Sequence, residues 1–220
     1  MMRSTPAVRE FTDDPLPDEV LGRILDNARF APSGGNRQGT RVVIVRDADS
    51  RSALAQLALP AARRYVAQSA HGESPWNPLH KPGVDASTIA ATQVPEQMSE
   101  PFRAAPVVLV FCVDLAVVAA LDQELDRVAV TPGASVYPLV WNVLLAARNE
   151  GYGGVLTTMA VAEEPRVKEL LGIPDSFAVA AVVPLGRPAR RVTKLRRRPV
   201  AELAFRERFD GAAYGGQPDR

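Results

Sequence analysis

The apolar residues of this chain fall into alternating helical and strand-like runs. From Asp18 to Phe30 they recur at Val20, Leu21, Ile24, Leu25 and Ala28, with Pro15 and Pro17 ahead of them and Pro32 behind. This spacing predicts a helix with one buried face. Arg41 to Arg46 is β-branched and bounded by Gly39 and Asp47, the mark of a buried strand. Asp49 or Ser50 is placed to cap a second helix, running past Leu54 and Leu57 towards Tyr65 and Val66 and bent or restarted at Pro60. Pro106 to Val113 reads as a second buried strand, and Leu115 to Leu125 as a helix after it.

Residues 71–103 hold Gly, Pro, Ser, Asn and Gln with few periodic apolar positions, which predicts an excursion, with or without a short helix of its own. Long loops in compact domains often serve as lids, and Trp76, His80 and Met98 are candidates to line one, although packing or solvent exposure also accommodates each. Ser135 to Asn149 is apolar nearly all round, through Val136, Leu139, Val140, Trp141, Val143, Leu144 and Leu145, so it must be covered on several sides. Burial inside its own fold and a subunit interface both satisfy that pattern. Gly151 to Thr158 reads as turn then strand, Ala162 to Leu171 as a short helix, and Phe177 to Leu185 as a further buried strand. The intermingling of strands and helices predicts helices on both faces of a central sheet.

A chain of 220 residues, 46% hydrophobic, is long enough to bury a core and suggests one domain. Its net charge of +1 writes no general attraction to nucleic acid or membrane into the composition. Basic residues do gather at 187–198, but no aromatics interleave with them, so a solvated basic segment competes with a nucleic-acid patch there. The longest apolar run, Ala104 to Leu121, is broken by Pro106 and Asp114, and no signal-peptide core is visible. The expectation is a cytoplasmic protein with no nucleic-acid or membrane partner. Cys112 is the single cysteine, which excludes an internal disulfide and multi-cysteine metal sites. His71 and His80 lack a third ligand or a nucleophile at recognisable spacing, so neither a metal site nor a hydrolytic triad is expected. The glycines Gly151, Gly153 and Gly154 do not form a dinucleotide fingerprint, and Gly34 and Gly35 do not open a phosphate loop.

Three ordered segments carry a family resemblance. Val8, Arg9, Glu10 and Phe11 lead to Ala31, Pro32, Ser33, Gly34, Gly35, Asn36, Arg37 and Gln38; Asn142 to Ala147 runs into Gly151, Thr157 and Thr158; and Leu185 and Gly186 are followed by Arg197 to Leu203. Together they resemble the FMN-dependent nitroreductase family, with Ala31 to Gln38 the most specific stretch.

The resemblance implies an α+β fold, a three-layer α/β/α sandwich around a central mixed sheet. It further implies one domain over 1–220, with 71–103 as a lid and 187–220 as a carboxy-terminal arm across the partner of an intertwined homodimer. The implied activity is that of an oxidoreductase that uses FMN to pass electron pairs from NADH or NADPH to a small electron-poor acceptor, such as a nitroaromatic or quinone, in ping-pong order. Other flavin chemistry on the same fold (dehalogenation, enone reduction, flavin breakdown) and non-catalytic FMN storage or sensing are the alternatives.

The implied FMN contacts are Arg9 and Arg197 for the phosphate, Pro32, Ser33, Gly34, Asn36 and Gln38 for the ribityl chain or ring edge, and Leu156, Thr157 and Thr158 against the ring. The Thr158 amide is the candidate donor to N5. The residue types suit the ligand: guanidinium groups match phosphate geometry, and amides tune a ring that gathers negative charge when reduced. No side chain stands out as a catalytic acid. Thr5 and Ala7 occupy positions where many members carry Arg and Ser, which leaves Arg3 or Ser4 as the nearest compensating residues.

Overall fold

The computed structural model describes residues 2–190 and 192–215. In chain order the principal elements are α1 (Asp18–Ala28), β1 (Thr40–Val45), α2 (Ala48–Ala70), α3 (Ala86–Ala91), α4 (Glu100–Ala104), β2 (Val107–Asp114), α5 (Tyr137–Asn149), β3 (Gly153–Gly154), α6 (Glu164–Leu171) and β4 (Phe177–Gly186).

The continuous apolar run of β2 requires cover on both faces, and Val107 to Val113 are all buried. β2 pairs with β1 on one side and β4 on the other, and β3 extends β4, giving the order β1-β2-β4-β3. Every pairing among the described strands is antiparallel, so the sheet within one chain is not the expected mixed one. Leu109, Phe111, Ala181, Val183 and Leu185 form one core with Leu21 and Ile24 of α1 and Val140, Val143 and Leu144 of α5. Val108, Val110, Cys112, Val179 and Val182 form a second core with Leu54, Ala55 and Ala58 of α2, Phe102 of α4 and Val167 of α6. Helices therefore lie on both faces, as in an α/β/α sandwich. A register shift at Phe111/Cys112 leaves Ala180 as an extra residue in β4, which puts Val179 on the α2 face although Ala181 lies on the other.

Four helix expectations change. The cap of α2 is Asp47, whose carboxylate accepts from the Ser50 N–H, not Asp49 or Ser50. α2 runs 23 residues straight through Pro60, because its buried stripe of Leu54, Leu57, Ala58, Ala61 and Ala62 holds both halves on the sheet against the proline's local cost. Leu115 to Leu125 forms turns instead of a helix. There the Asp114 carboxylate accepts from the Ala116 N–H, and the buried Asp122 carboxylate accepts from the Val130 and Thr131 N–H groups, the Thr131 hydroxyl and Arg127. Asp122 thereby ties this segment to residues 127–131 as a turn-rich loop. These contacts, led by the Thr131 hydroxyl, hold Asp122 far below the usual carboxylate range. Finally, α5 begins at Tyr137 with Pro138 in its first turn, and Thr131–Ser135 is a separate 3-10 turn.

Burial pushes the Cys112 thiol up to about 11, as expected for a small residue filling a core. The excursion 71–103, expected to hold at most one short helix, contains two, α3 and α4, with a 3-10 turn at Glu96–Met98 between them. It is fastened at both ends. The Arg51 guanidinium donates to the carbonyls of Arg103 and Ala105, closing the carboxy terminus of α4. At the other end the Glu73 carboxylate accepts from Gln68, Gly83 and Val84, while the Trp76 indole donates to the Ala61 carbonyl and lies under the Arg64 guanidinium.

The contact with Gln68, reinforced by the two backbone donors, lowers the Glu73 pKa from its ordinary 4.5. A depressed folded-state value means that the ionised carboxylate stabilises this fastening above pH 4.5 and that the contribution is lost as pH falls through the folded value. In a Trp141→Phe background, where Trp76 is the remaining indole, its fluorescence is expected to change on acidification below that point. Glu73→Gln is expected to flatten the acid limb of the titration; the same acid limb in both proteins would contradict the assignment.

Candidate functional site

The amino-terminal segment is held between β3 and the end of β4. The Val8 N–H donates to the Gly154 carbonyl, Thr12 to the Arg187 carbonyl, and Ala189 to the Glu10 carbonyl. A Cβ on Gly154 would lie 2.4 Å from the Pro184 carbonyl oxygen, so this approach of β3 to β4 needs glycine. Beyond β3 the chain is pinned again where Thr157 and Val182 exchange backbone hydrogen bonds. Residues 6–10 and 155–159 are thereby brought to the same cleft.

The cleft has a volume of about 1210 Å³. One wall is Val155 to Met159, and another is Pro6 to Glu10 with Arg190 and Val192. The remaining lining comes from Tyr65 of α2, the turn Glu96–Met98 and the first residues of α4, including Phe102. Arg9 is exposed and has no hydrogen bond or ion pair among the described residues, whereas Arg190 is paired with Glu10 at 3.1 Å. No acceptor among the described residues pairs with the N–H of Leu156 or Thr158, both of which are exposed in the cleft lining. The cleft thus offers a free guanidinium and free amides beside an apolar wall, a donor set suited to a phosphorylated or electron-rich planar ligand.

Of the residues singled out from sequence, Arg9, Leu156, Thr157 and Thr158 are brought together here, and Ala7 also lines the cleft. Pro32, Ser33, Gly34, Asn36 and Gln38 are not part of it. They form an exposed loop at the foot of α5, where the Gly34 N–H donates to Ser135 Oγ and Arg37 donates to the Val117 carbonyl. Gly35, Asn36 and Gln38 all have positive φ, at 58°, 52° and 49°. The Ser33 hydroxyl accepts from the Gln38 N–H and the Gln38 amide donates to Asn36, bonds that hold two non-glycine residues in an uncommon conformation.

Arg197 is exposed on the carboxy-terminal segment, bonded to the Arg196 carbonyl, and does not line the cleft. Arg191 and residues 216–220 of the expected arm lie outside the described residues. Arg3 and Ser4 do not reach the cleft. Of the lid candidates, Met98 lines it, while Trp76 is tied to α2 and His80 is exposed. Tyr65, Glu96, Gln97, Glu100 and Phe102 were not singled out. Their placement depends on the length of α2 and the fastening of α4, and no local motif records either.

Comparison with known proteins agrees with this architecture. The chain is 29% identical over 207 residues to an NADH dehydrogenase of Thermus thermophilus, covering 90% of each protein. It is 25% identical over 205 residues to a nitrobenzene nitroreductase of Ectopseudomonas oleovorans, covering 84% of each. Among solved structures, nitroreductase A of Vibrio parahaemolyticus superposes with a TM-score of 0.67 at 22% identity, over 94% of this chain and 74% of that one, which establishes the shared fold. The profile of the Nitroreductase family matches residues 2–187, and the chain therefore belongs to that family.

Proposed function

We propose that this protein is an FMN-dependent oxidoreductase that acts as a homodimer, taking an electron pair from NADH or NADPH and passing it to a small electron-poor acceptor such as a nitroaromatic or a quinone. The observation that carries this reading is the meeting, in one cleft of a nitroreductase-family chain, of the unpaired Arg9 guanidinium with the free N–H groups of Leu156 and Thr158. The names of two relatives support it: an FMN reductase using NAD(P)H from Bacillus subtilis and an NADPH-flavin oxidoreductase from Vibrio harveyi.

The donor set fits FMN. Arg9 would hold the phosphate dianion through charge-assisted hydrogen bonds, and the free Thr158 amide would donate to the ring and tune its electron acceptance. Leu156 and Thr157 would form the surface against the ring. When bound, FMN supplies the two-electron chemistry that no side chain here provides. One cleft serves both donor and acceptor, so they use it in turn, which is the basis of a ping-pong order.

The Ser33–Gln38 loop and Arg197 are the second half of the donor set, and they lie away from the cleft of their own chain. A pair of subunits resolves this separation: each site takes the cleft from one protomer and the loop and arm from the other. The apolar face of α5 beside that loop supports the pairing. Tyr137 and Trp141 are 43% and 42% exposed on it, and nearby Phe30 is 71% exposed, large apolar surfaces that burial against a second copy would remove from water. The outer edge of β1 has no neighbour among the described residues and is available to the same partner.

Protein saturated with FMN and then washed is expected to stay yellow and to bleach under anaerobic conditions with NADH or NADPH; a colourless product, or bound flavin that neither nicotinamide reduces, rules the reading out. Arg9→Ala is expected to weaken FMN retention roughly tenfold to a hundredfold, measured by fluorescence titration. Trp141→Glu puts a charge on the exposed α5 face and is expected to give monomers in sedimentation velocity and to lose flavin in parallel. A variant that stays dimeric and yellow would remove α5 from the interface.

A further inference from the structure

Reduction of a nitro group or a quinone needs protons as well as electrons, and the cleft holds one side chain chemically suited to give one. Its polar side chains include Arg9 and Arg190, Glu10, Glu96 and Glu100, and Tyr65. Guanidinium groups do not release protons at working pH, and carboxylates in water have none to give. A phenol keeps a proton at neutral pH and donates it readily in a hydrogen bond. The lining threonines, Thr157 and Thr158, carry alcohols that are far weaker acids.

Tyr65 sits on α2, which lies against the turn Met159–Glu163 that follows the Leu156–Thr158 wall. It is 41% exposed, and its hydroxyl has no hydrogen-bond partner among the described residues. That freedom sets it apart from the other two tyrosines of the cores and their margins: Tyr137 donates to the Ala180 carbonyl and Tyr152 to the Pro15 carbonyl. Tyr65 also shares the outer lining with Met98 and Phe102, apolar neighbours that favour a flat acceptor. We propose that the Tyr65 hydroxyl is the proton donor to the acceptor, in the same cleft as the free Thr158 amide.

This assignment rests on the functional reading above. For a quinone the nicotinamide supplies two electrons and one proton. The second proton leaves Tyr65 Oη as its O–H bond breaks and forms an O–H bond on the acceptor oxygen, and the phenolate regains a proton from water. The sum is one quinone, one reduced nicotinamide and one solvent proton giving one hydroquinone and one oxidised nicotinamide.

Anaerobic stopped-flow mixing tests the step. FMN-loaded protein is first reduced with NADH or NADPH, then mixed with menadione, which takes up two electrons and two protons, or with ferricyanide, which takes one electron and no proton. Tyr65→Phe is expected to slow menadione reduction about a hundredfold, while ferricyanide reduction and the preceding reaction with nicotinamide keep their wild-type rates. A second readout needs no turnover: oxidised protein binds 4-nitrophenol, whose visible band reports its ionisation. The Tyr65 donor stabilises the bound phenolate, so the midpoint is expected to rise by roughly one pH unit in the variant. Equal losses with both acceptors, or an unchanged menadione rate with an unchanged 4-nitrophenol titration, overturn the assignment. A wild-type protein that holds no flavin overturns the functional reading and this assignment together, whereas a working wild type beside an indifferent Tyr65→Phe overturns this one alone.

Discussion

The antiparallel pairing of β2 with β4 is the constraint on which the rest of the structure depends. Both strands are apolar over most of their length, so each must bury side chains on two faces, and neither is stable until helices cover the sheet from both directions. The helices α1 and α5 answer one face and α2 and α6 the other. Once β4 is fixed, its far end determines where β3 and the amino-terminal segment lie, because Gly154 approaches the Pro184 carbonyl and accepts from the Val8 N–H. The cleft is the space left beyond that junction. Its floor is therefore attached to the most deeply buried part of the molecule, and donors such as the Leu156 and Thr158 amides are held by the ladder behind them.

The outer wall is built differently. Tyr65 comes from the exposed side of a long surface helix, and Met98 and Phe102 come from the excursion before β2. That excursion is anchored by individual polar contacts, Arg51 at one end and Glu73 at the other, with only Phe102 deep in a core. The cleft thus pairs a floor held by the sheet with a wall secured at separate points.

Much of this was legible in the chain itself. The positions of β1, β2 and β4 are read correctly because runs of β-branched residues admit little else, but β1, expected to be buried, is an edge strand in which only Val45 is buried; α1 is read correctly because its apolar period is clean. Leu115 to Leu125 is misread because its apolar spacing suits a helix, whereas the buried Asp122 carboxylate binds it to the Val130 and Thr131 N–H groups and Arg127 in a turn-rich loop, a contact beyond the segment that its own spacing does not record. Pro60 misleads in the opposite sense, since packing along α2 outweighs one local penalty. At the site, Arg9 and Thr158 could be named because each belongs to a local motif. Tyr65 could not, because it reaches the cleft through a fold-level contact between distant segments. The separation of the Ser33–Gln38 loop from the cleft was equally invisible, since order along the chain does not tell how far apart two motifs lie in the fold.

Burial of Cys112 within β2 has a practical consequence. The one sulfhydryl of the chain is enclosed and held in its unreactive protonated form. Alkylating reagents and mild oxidants therefore meet no competent sulfur while the fold is intact. A cysteine introduced anywhere on the surface would be the sole reactive one, so dyes or spin labels can be attached at chosen points without first removing the native residue and disturbing the sheet around it.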